Sequence, residues 1–525
     1  MSEGKSLKGI SRTTFIVGLL IAILASSCIS TLIAMRWVGL QGPKGDKGEK
    51  GDKGDITPVF DSGWVDITDK AGQYFNITHN LNSTEIIVDI TGKTTANDGV
   101  HQRHYGGTGY AQGWNRTYAC RSCAHGGTDW DVAISGIQTR DGGYAIAGYT
   151  GSFPGDYDFW LVKTDAAGNE EWNQTYGGTY RCEARSIVQT GDDGYALAGF
   201  TNSSGTGSWD YWLVKTDPDG NMEWNQTYGG AEVDSAYSVV QTGDGGYAIA
   251  GYTSSYGAGG NDFWLVRTDL NGDALWNWTY GGLNNDYAFA MVQTDDGGYA
   301  MTGYTKSFGA GSEDCWLVKT NSTGHLEWNQ TYGGVNSEFA ESIAQTIDGG
   351  YAMAGATDSF GAGSADFWLV KTDAVGNEQW NETYGGGSHD YGQSVVQTFD
   401  GGYAIAGYTS SYGAGSRDFW LVRTDSTGSL QWNQTYGGAD RDYGSSVVQT
   451  NDGGYAIAGA TRSFGAGDYD CWLVKTDPYG VAEPFFGYGL AWVDSTADTI
   501  TLYRDATDAY WNYVRVRIWK IEEIP

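Results

Sequence analysis

Four short segments of apolar and polar residues recur along most of the chain. In one copy they read "SVVQT", "GYAIAGYT", "FWLVRT" and "LQWNQTY". They are β-branched or aromatic runs bounded by glycine and aspartate turns, and none has helical spacing, so each is predicted to be a β-strand. "GYAIAGYT" and "FWLVRT" are apolar on both faces, whereas "WNQTY" alternates. The pattern therefore predicts strands covered on both sides and an outermost strand with one face in water.

The segments recur at a fixed distance. The tryptophan of the third segment falls at residues 160, 212, 264, 316, 368, 420 and 472, always 52 residues apart. Four strands per copy in seven copies predict a seven-bladed β-propeller over residues 108–481. The first "WNxTY" segment, at Trp114, precedes the first complete copy, and the last copy has none after it. The N-terminal segment is thus expected to complete the last blade and close the ring.

Residues 13–35 contain no charged side chain over 23 positions, which is enough for a helix to cross a hydrocarbon core of about 30 Å. Lys5, Lys8 and Arg12 precede this stretch, so residues 1–12 are predicted to be cytoplasmic and the rest of the chain extracellular. The alternative is a cleaved signal peptide, whose apolar region is usually shorter. The prediction is a single-pass protein of the cell membrane.

Residues 39–56 contain glycine at every third position from 39 to 54. From Lys44 onward, each of these glycines lies in the middle of a Lys-Gly-Asp or Lys-Gly-Glu triplet. This register is typical of collagen, in which only glycine fits near the axis of three chains. We expect these residues to form a short stalk. The stalk and the membrane anchor together would favour a homotrimer. The alternative is a flexible charged linker.

Two flanks remain, 57–107 and 482–525, each with about three predicted strands. Because a closed propeller brings its ends together, the flanks are expected to pair as the two halves of one β-sandwich. "SGWVDIT", "FNITHNL" and "IIVDITGK", joined to "TITLYRDATDAYWNYVRVRIWKI", resemble small β-sandwich domains that follow collagen-like stretches in microbial surface proteins. The repeats resemble those of archaeal cell-surface propeller proteins. These resemblances imply architecture and location, and they imply no ligand.

The chain carries 63 acidic and 31 basic side chains, a formal net charge of −32. This charge argues against a nucleic-acid partner, which needs a cationic surface. It is compatible with a solvated acidic exterior or with cation binding.

An acidic residue recurs shortly after "YGG", on the face predicted to carry loops with an exposed aromatic residue. The carboxylates are Asp131, Asp234, Asp286, Glu338, Asp390 and Asp442, and the aromatic residues are Tyr256, Phe308, Phe360, Tyr412 and Phe464. Together they are candidates for binding a divalent cation or a sugar. The alternative is that each carboxylate caps its own loop. No metal ligand set is assigned, and no other cofactor is expected.

Cys182 interrupts the acidic series. Cys120, Cys123 and Cys182 fall in successive predicted loops, and one disulfide among them is expected outside the cell. A zinc site with His125 is the alternative. Cys315 and Cys471 replace aromatic residues of other copies and are expected to be core thiols.

No catalytic residue is predicted, because no nucleophile elbow or triad spacing is present. The turn at Asp373, Gly376 and Trp380 is similar to the tryptophan-docking motif of quinoprotein propellers, but their vicinal cysteine pair is missing. The enzyme alternative is an extracellular carbohydrate-active or quinoprotein-like propeller. It requires a cluster of unrepeated polar residues in the channel.

Every outer strand is also a sequon for N-glycosylation. The asparagines are Asn115, Asn173, Asn225, Asn277, Asn329, Asn381 and Asn433. The alternative is that Asn and Thr simply occupy the wet face of an outer strand. Taken together, the sequence predicts a membrane-anchored extracellular binding, adhesion or cell-envelope protein that holds a protein or glycan on one propeller face.

Overall fold

The computed structural model describes residues 60–61, 65–66, 73–78, 86–93, 102–107, 114–118, 130–153, 156–465, 468–482, 490–495, 499–504 and 513–520. Every regular element in these residues is a β-strand. None of them belongs to a helix with the length and apolarity needed to cross a membrane. The predicted transmembrane segment 13–35 and the collagen-like segment 39–56 lie outside the described residues.

Six strands precede the first complete repeat. They are β1 (Phe60–Asp61), β2 (Val65–Asp66), β3 (Gln73–Thr78), β4 (Ile86–Lys93), β5 (Gln102–Gly107) and β6 (Trp114–Tyr118). The first three repeats contain β7 (Asp131–Gln138), β8 (Tyr144–Phe153), β9 (Asp156–Thr164), β10 (Glu170–Tyr176), β11 (Cys182–Gln189), β12 (Tyr195–Thr201), β13 (Asp210–Thr216), β14 (Met222–Tyr228), β15 (Asp234–Gln241), β16 (Tyr247–Thr253), β17 (Asp262–Thr268) and β18 (Ala274–Tyr280).

The next four repeats contain β19 (Asp286–Gln293), β20 (Tyr299–Thr305), β21 (Asp314–Thr320), β22 (Leu326–Tyr332), β23 (Glu338–Gln345), β24 (Tyr351–Thr357), β25 (Asp366–Thr372), β26 (Glu378–Tyr384), β27 (Asp390–Gln397), β28 (Tyr403–Thr409), β29 (Asp418–Thr424), β30 (Leu430–Tyr436), β31 (Asp442–Gln449), β32 (Tyr455–Thr461) and β33 (Asp470–Thr476). Three more strands follow the repeats: β34 (Leu490–Ser495), β35 (Thr499–Arg504) and β36 (Tyr513–Lys520).

Each repeat forms a four-stranded antiparallel sheet, which we call a blade and number I to VII from β7 onward. Within a blade the strands run from inner through second and third to outer, in chain order. The second and third strands are buried along almost their whole length, as their two-sided apolar pattern predicts. The outer strand alternates between exposed and covered residues. The strand assignment made from the sequence is therefore confirmed.

Aromatic side chains join neighbouring blades. Phe367 of blade V packs on Trp420 of blade VI, with ring centroids 4.5 Å apart, and Phe419 packs in the same way on Trp472 of blade VII. Small residues such as Ala404 and Ala406 are fully buried beside them and allow the sheets to approach. Such aromatic pairs add about 0.5–1.5 kcal/mol each beyond the burial of their area.

The ring closes at blade VII, where β6 supplies the outer strand. Strand β6 pairs with β33, with Trp114 opposite Lys475 and Tyr118 opposite Cys471. The backbone N–H of Gly136 in blade I also donates to Ser446 Oγ in blade VII, over 3.2 Å. Equivalent serine contacts join other inner strands, for example Ser394 Oγ with the N–H of Val447. The fold is thus an all-β, seven-bladed propeller, as predicted.

The inner strand of every blade contains a β-bulge. In β19, Ala288 pairs with Gly303 and Ala290 with Thr302, so Phe289 has no partner on the second strand. Because of the bulge, the carbonyl oxygen of the second residue of the inner strand lies against the second glycine of "GYAIAGYT". A Cβ placed on Gly303 would stand 1.8 Å from the carbonyl oxygen of Tyr287. The equivalent glycine is needed in each blade for this close approach.

The flanking strands from the two ends of the chain pair with one another. Strand β36 lies between β1 and β4, β2 also pairs with β36, and β5 follows β4 in the same sheet. A second sheet has the order β3, β35, β34. Both sheets therefore combine strands from before and after the propeller. That they pack together as one β-sandwich stays a prediction.

We expect Gly303→Ala to lower the free energy of unfolding by about 1–3 kcal/mol, because the added methyl meets the Tyr287 carbonyl and the core does not relax freely. Gly243→Ala is the matched control, since a Cβ there has no atom within 4 Å. Urea unfolding of the purified full chain measures both. Equal stability of the two variants would contradict the close approach.

Candidate functional site

The two faces of the propeller differ in their connections. We call the face where the inner strands begin the upper face. It carries the loops from each outer strand to the next inner strand and from each second strand to the third. The lower face carries the tight turns that follow the inner and third strands, such as those closed by the N–H of Gly297 on the Thr294 carbonyl and the N–H of Gly324 on the Asn321 carbonyl.

On the lower face of every blade a buried Lys or Arg of the third strand pairs with an Asp of the turn after the inner strand, and in blades I, II and IV the lysine also pairs with a Glu. In blade IV, Lys319 Nζ lies 2.8 Å from Asp296 Oδ2 and 2.8 Å from Glu327 Oε2. Burial alone would raise the pKa of Asp296, but hydrogen bonds from Lys319 and Thr294 outweigh it and lower the pKa to about 2. Because this arrangement recurs from blade to blade, it serves the fold.

The acidic residues at the start of the inner strands are fully buried under the upper face. Asp286 Oδ1 accepts hydrogen bonds from the Thr305 hydroxyl and from the N–H groups of Lys306 and Ser307. Its Oδ2 accepts from Ser307 Oγ over 2.8 Å and from the Gly282 N–H over 2.9 Å. Asp390 and Asp442 repeat this pattern.

These contacts agree with the capping alternative, because each carboxylate fixes the two loops beside it. The other members of the acidic series are also fully buried: Asp131, Asp234 and Glu338. Binding of a sugar or a cation by these residues stays a prediction.

Cys182 occupies the carboxylate position in blade II. Its thiol is free and buried, and Sγ lies 3.1 Å from the Thr201 hydroxyl, the counterpart of Thr305 in blade IV. The thiol also contacts the Tyr180 carbonyl and Ser203 Oγ in the two neighbouring loops. The disulfide predicted among Cys120, Cys123 and Cys182 stays a prediction. Cys120 and Cys123 lie outside the described residues, so a pair between these two stays a prediction.

Cys315 and Cys471 are buried core thiols, as expected. Burial raises the pKa of the Cys315 thiol to about 12, so it stays protonated and unreactive at neutral pH.

The predicted loop aromatic residues form a half-exposed set on the rim of the upper face. Tyr256 lies against Trp264, with centroids 5.4 Å apart, and its hydroxyl donates to the Gly229 carbonyl. The same ring contact with a third-strand tryptophan is made by Phe308, Phe360, Tyr412 and Phe464. Their exposed fractions range only from 42% to 46%. The rim is thus nearly identical in five blades.

Six of the seven outer-strand sequon asparagines accept a hydrogen bond from a buried indole. Trp316 Nε1 donates to Asn329 Oδ1 over 3.1 Å, and Trp420 Nε1 donates to Asn433 Oδ1 over 3.1 Å. The same bond is made by Asn173, Asn225, Asn277 and Asn381. The asparagine therefore has a structural reason to recur, independent of any glycan.

The inner-strand bulges carry a side chain that differs in all seven blades. These residues are Ile134, Arg185, Tyr237, Phe289, Glu341, Gln393 and Ser445. All seven are half-buried. The residues directly before and after them repeat closely, so the bulge position, which is turned out of the strand ladder, stands out from its immediate neighbours.

These side chains share the central channel. Arg185 belongs to blade II and Glu341 to blade V, on opposite sides of the ring, yet the charge of Arg185 acts on the carboxyl of Glu341. Two residues so far apart along the ring interact only if both project toward its axis. Bulge residues of successive blades also touch, since Arg185 lies over the Tyr237 ring at 5.2 Å and Tyr237 contacts Phe289 at 5.2 Å. We therefore assign the bulge residues to the channel wall, which could not be seen by reading the chain from end to end. Aligning the seven copies on the inner strand reveals them.

Further residues that differ between most blades surround the upper mouth of the channel. One set precedes the inner strands: Trp130, Arg181, Val233, Asn285, Ser337, His389 and Arg441. A second set consists of the second residue of each inner strand: Val132, Glu183, Ser235, Tyr287, Phe339, Tyr391 and Tyr443. A third set precedes the third strands: Tyr157, Trp209, Asn261, Glu313, Ala365, Arg417 and Tyr469. We call these sets and the bulge residues together the channel mouth.

Aromatic rings form a continuous arc along one side of the channel mouth. Tyr304 contacts Phe339 with centroids 5.3 Å apart, Phe339 contacts Tyr391, and Tyr391 stacks on Tyr408 at 5.7 Å. Arg417 lies over the Tyr408 ring, 4.8 Å from its centroid. The ring contacts continue beyond Arg417, because Tyr408 also contacts Tyr443 of blade VII with centroids 5.2 Å apart.

Charged groups lie among these rings. Arg185 Nη2 lies 2.5 Å from Glu183 Oε2, and Arg181 pairs with the other oxygen of Glu183. Among the described residues, Glu341 has neither an ion pair nor a hydrogen-bond partner, and Gln393 Oε1 is buried without a donor. A concave, mostly aromatic surface with a few unsatisfied polar groups is typical of a ligand site.

No protein-family profile matches the chain. A curated relative, the regulatory protein FlaEY of Caulobacter vibrioides, is 27% identical over 242 residues, which are 43% of this chain and 23% of the relative. The chain therefore spans about a quarter of the length of that relative.

Three solved structures are similar to the chain at low identity. The WD40 domain of Pan2 from Neurospora crassa aligns with a TM-score of 0.44 at 9% identity, over 70% of this chain and 95% of that one. YCF48 bound to a D1 peptide gives 0.40 at 11%, over 70% and 96%. Sqt1 from Chaetomium thermophilum gives 0.38 at 12%, over 75% and 97%. The blade number follows from the strand pairing of this chain.

We expect Glu341→Gln to stabilise the protein at pH 8 and to leave its stability unchanged at pH 4. Burial raises the pKa of Glu341 from 4.5 to about 7. Because the folded-state pKa is the higher one, stability is greatest below pH 4.5 and falls as the pH rises through 7. At pH 8 the free energy of unfolding of Glu341→Gln is therefore expected to exceed that of the wild type by at most about 3 kcal/mol, since each pKa unit corresponds to about 1.36 kcal/mol.

Urea unfolding of the wild type and of Glu341→Gln between pH 4 and pH 8 measures this difference. Parallel stability curves over that range would show that Glu341 ionises as freely as in the unfolded chain.

Proposed function

We propose that this chain is a membrane-anchored extracellular binding protein whose propeller holds its ligand at the channel mouth. The ligand is a protein or a glycan, and the cellular role is adhesion or organisation of the cell envelope. The propeller fold itself is suited to an interaction platform.

One observation carries this proposal. Sequence variation among blades is concentrated at the channel mouth, while the core, the rim aromatic residues and the lower-face ion pairs repeat almost unchanged. A purely structural ring has no need for seven different residues at one position, since the blades are otherwise equivalent. Binding of an asymmetric ligand does need them, because each blade meets a different part of it.

The remaining parts of the proposal come from the sequence. The segment 13–35 anchors the chain, with residues 1–12 in the cytoplasm. Residues 39–56 form a collagen-like stalk that favours a homotrimer, and residues 57–107 and 482–525 form a β-sandwich between the stalk and the propeller. The pairing of strands from both flanks in two sheets supports this last step.

An extracellular enzyme is the second candidate function, and the channel wall favours it in one respect. Arg185, Glu341 and Gln393 are unrepeated polar residues on the channel wall, which is where an enzyme needs them. Glu341 has a pKa raised to about 7 by burial, a value suited to a general acid. Glu183, the acidic residue of the second set at the channel mouth, is held in two ion pairs. A binding function without catalysis therefore explains the residues of the channel wall better than an enzyme function does.

Ligand binding is expected to depend on the upper face. Arg441 is exposed at the channel mouth, and Arg140 is exposed in a lower-face turn. The full chain in detergent is applied to a glycan array, and in liposomes to a cell-adhesion assay. We expect Arg441→Glu to weaken the strongest interaction at least tenfold and Arg140→Glu to change it less than twofold. The reverse order would place binding on the lower face, and turnover of a bound glycan would favour the enzyme.

Glycosylation and stability are expected to separate at one sequon. Asn329→Gln removes the acceptor of the Trp316 indole and should lower the free energy of unfolding by about 1–3 kcal/mol. Thr331→Ala destroys the same sequon and leaves that acceptor in place. Mass spectrometry of the native protein should show a glycan on Asn329 that both variants lack. An unmodified Asn329 in the native protein would leave its recurrence explained by the hydrogen bond alone.

A further inference from the structure

We propose that a hard divalent cation such as Ca²⁺ binds between the carboxylates of adjacent blades, at four junctions under the upper face. The pairs are Asp210 with Asp234, Asp262 with Asp286, Asp366 with Asp390, and Asp418 with Asp442. The first member of each pair begins the third strand of one blade, and the second begins the inner strand of the next. This site is separate from the channel mouth and does not depend on the function proposed for it.

The two carboxylates of each pair converge on the first glycine of "YGG". A Cβ placed on Gly281 would stand 1.8 Å from Asp262 Oδ1 and 2.8 Å from Asp286 Oδ2. The two oxygens are therefore within about 5 Å of each other. The glycines at the other three junctions, Gly229, Gly385 and Gly437, show the same convergence.

One oxygen of each pair is buried without a donor. Asp262 Oδ2 accepts a hydrogen bond from the Ala258 N–H over 2.8 Å, but Asp262 Oδ1 has no partner among the described residues. The same atom is unpartnered in Asp210, Asp366 and Asp418. All four side chains are at most 1% exposed. A buried carboxylate oxygen without a donor is rare and requires a water, an ion or a proton in contact with it.

The partner carboxylate cannot supply that contact. Asp286 accepts five hydrogen bonds from N–H and O–H groups, which is the pattern of an ionised carboxylate that only accepts. Asp262 Oδ1 therefore faces a negative charge in a buried setting. Burial raises the pKa of Asp262, and the charge of Asp286 raises it further. A cation between the two oxygens relieves this repulsion.

Oxygen chemistry points to a hard divalent ion. Ca²⁺ takes six to eight oxygen ligands, with carboxylates foremost. Among the described residues, no group of three or more His, Cys, Asp and Glu side chains converges. Each junction thus offers two carboxylates, and the proposal requires other oxygen atoms, such as those of water, to complete the shell. Such a ligand set predicts weak binding, with Kd on the order of 0.1–1 mM, as in extracellular modules.

An ion in this position would join two blades. Asp262 belongs to blade III and Asp286 to blade IV, so occupancy opposes separation of the sheets and raises the melting temperature. The junction between blades I and II differs, because Cys182 replaces the second carboxylate there. The proposal therefore places no ion at that junction.

The test uses the full chain in detergent after treatment with EDTA. Equilibrium dialysis with ⁴⁵Ca²⁺ at pH 7.5 counts the saturable sites, and thermal unfolding with increasing Ca²⁺ measures their effect. Asp262→Asn and Asp418→Asn are each expected to remove one bound ion and to reduce the Ca²⁺-dependent rise in Tm. Asp219→Asn, at an exposed lower-face position, is the matched control and should change neither result.

The Tm of each variant in EDTA separates loss of an ion from failure to fold, because the asparagine keeps the shape of the side chain and its second oxygen. Saturable binding that falls by one ion per substitution supports the proposal. A wild type whose Tm does not respond to Ca²⁺, with asparagine variants as stable or more stable, would overturn it. In that case a proton shared between the carboxylates occupies the position.

Discussion

The structure depends on each blade being covered on both faces by its neighbours. The second and third strands are apolar on both sides and would expose a large hydrophobic surface in an isolated blade. Packing of Phe367 on Trp420, repeated around the ring, hides one face of each sheet on the next. A blade without neighbours on both sides is therefore unstable, and the array must close. Closure through β6 follows from this requirement, since it leaves no blade at an open end.

The same requirement explains which residues repeat. Most positions that contact another blade, or that fix the angle between strands, repeat closely in the seven copies, with Cys315 and Cys471 among the exceptions. The second-strand glycine is an example, because the bulge beside it leaves no space for a side chain. Positions that face only the channel or the mouth are free of this constraint, and there the blades differ. Because the core residues repeat so closely, the differences among blades at the channel mouth indicate a role other than folding.

Much of the fold could be predicted from the sequence, because the period of 52 residues and the displaced first "WNxTY" specify blade number and closure. The candidate site could be predicted only in part. Arg185 and Glu341 look ordinary when the chain is read from end to end, and their position stands out only when the bulge sets the register between copies. Cys182 could be aligned with the acidic series from the sequence, but the burial of that position could not be seen there. The third-strand partners, such as Asp262, were missed because a pair across a blade junction is not adjacent in sequence.

The buried carboxylates connect the regular core to the variable mouth. Asp286 holds the loops on either side of it by five hydrogen bonds, all to backbone groups or to small hydroxyl side chains. The backbone of the upper face is thus fixed by atoms that do not depend on the neighbouring side chains. Asn285 and Tyr287 flank Asp286 in the sequence, and Arg441 and Tyr443 flank its counterpart Asp442. Because the carboxylate fixes the backbone, the residues on both sides of it are able to differ between blades while the geometry of the mouth stays the same.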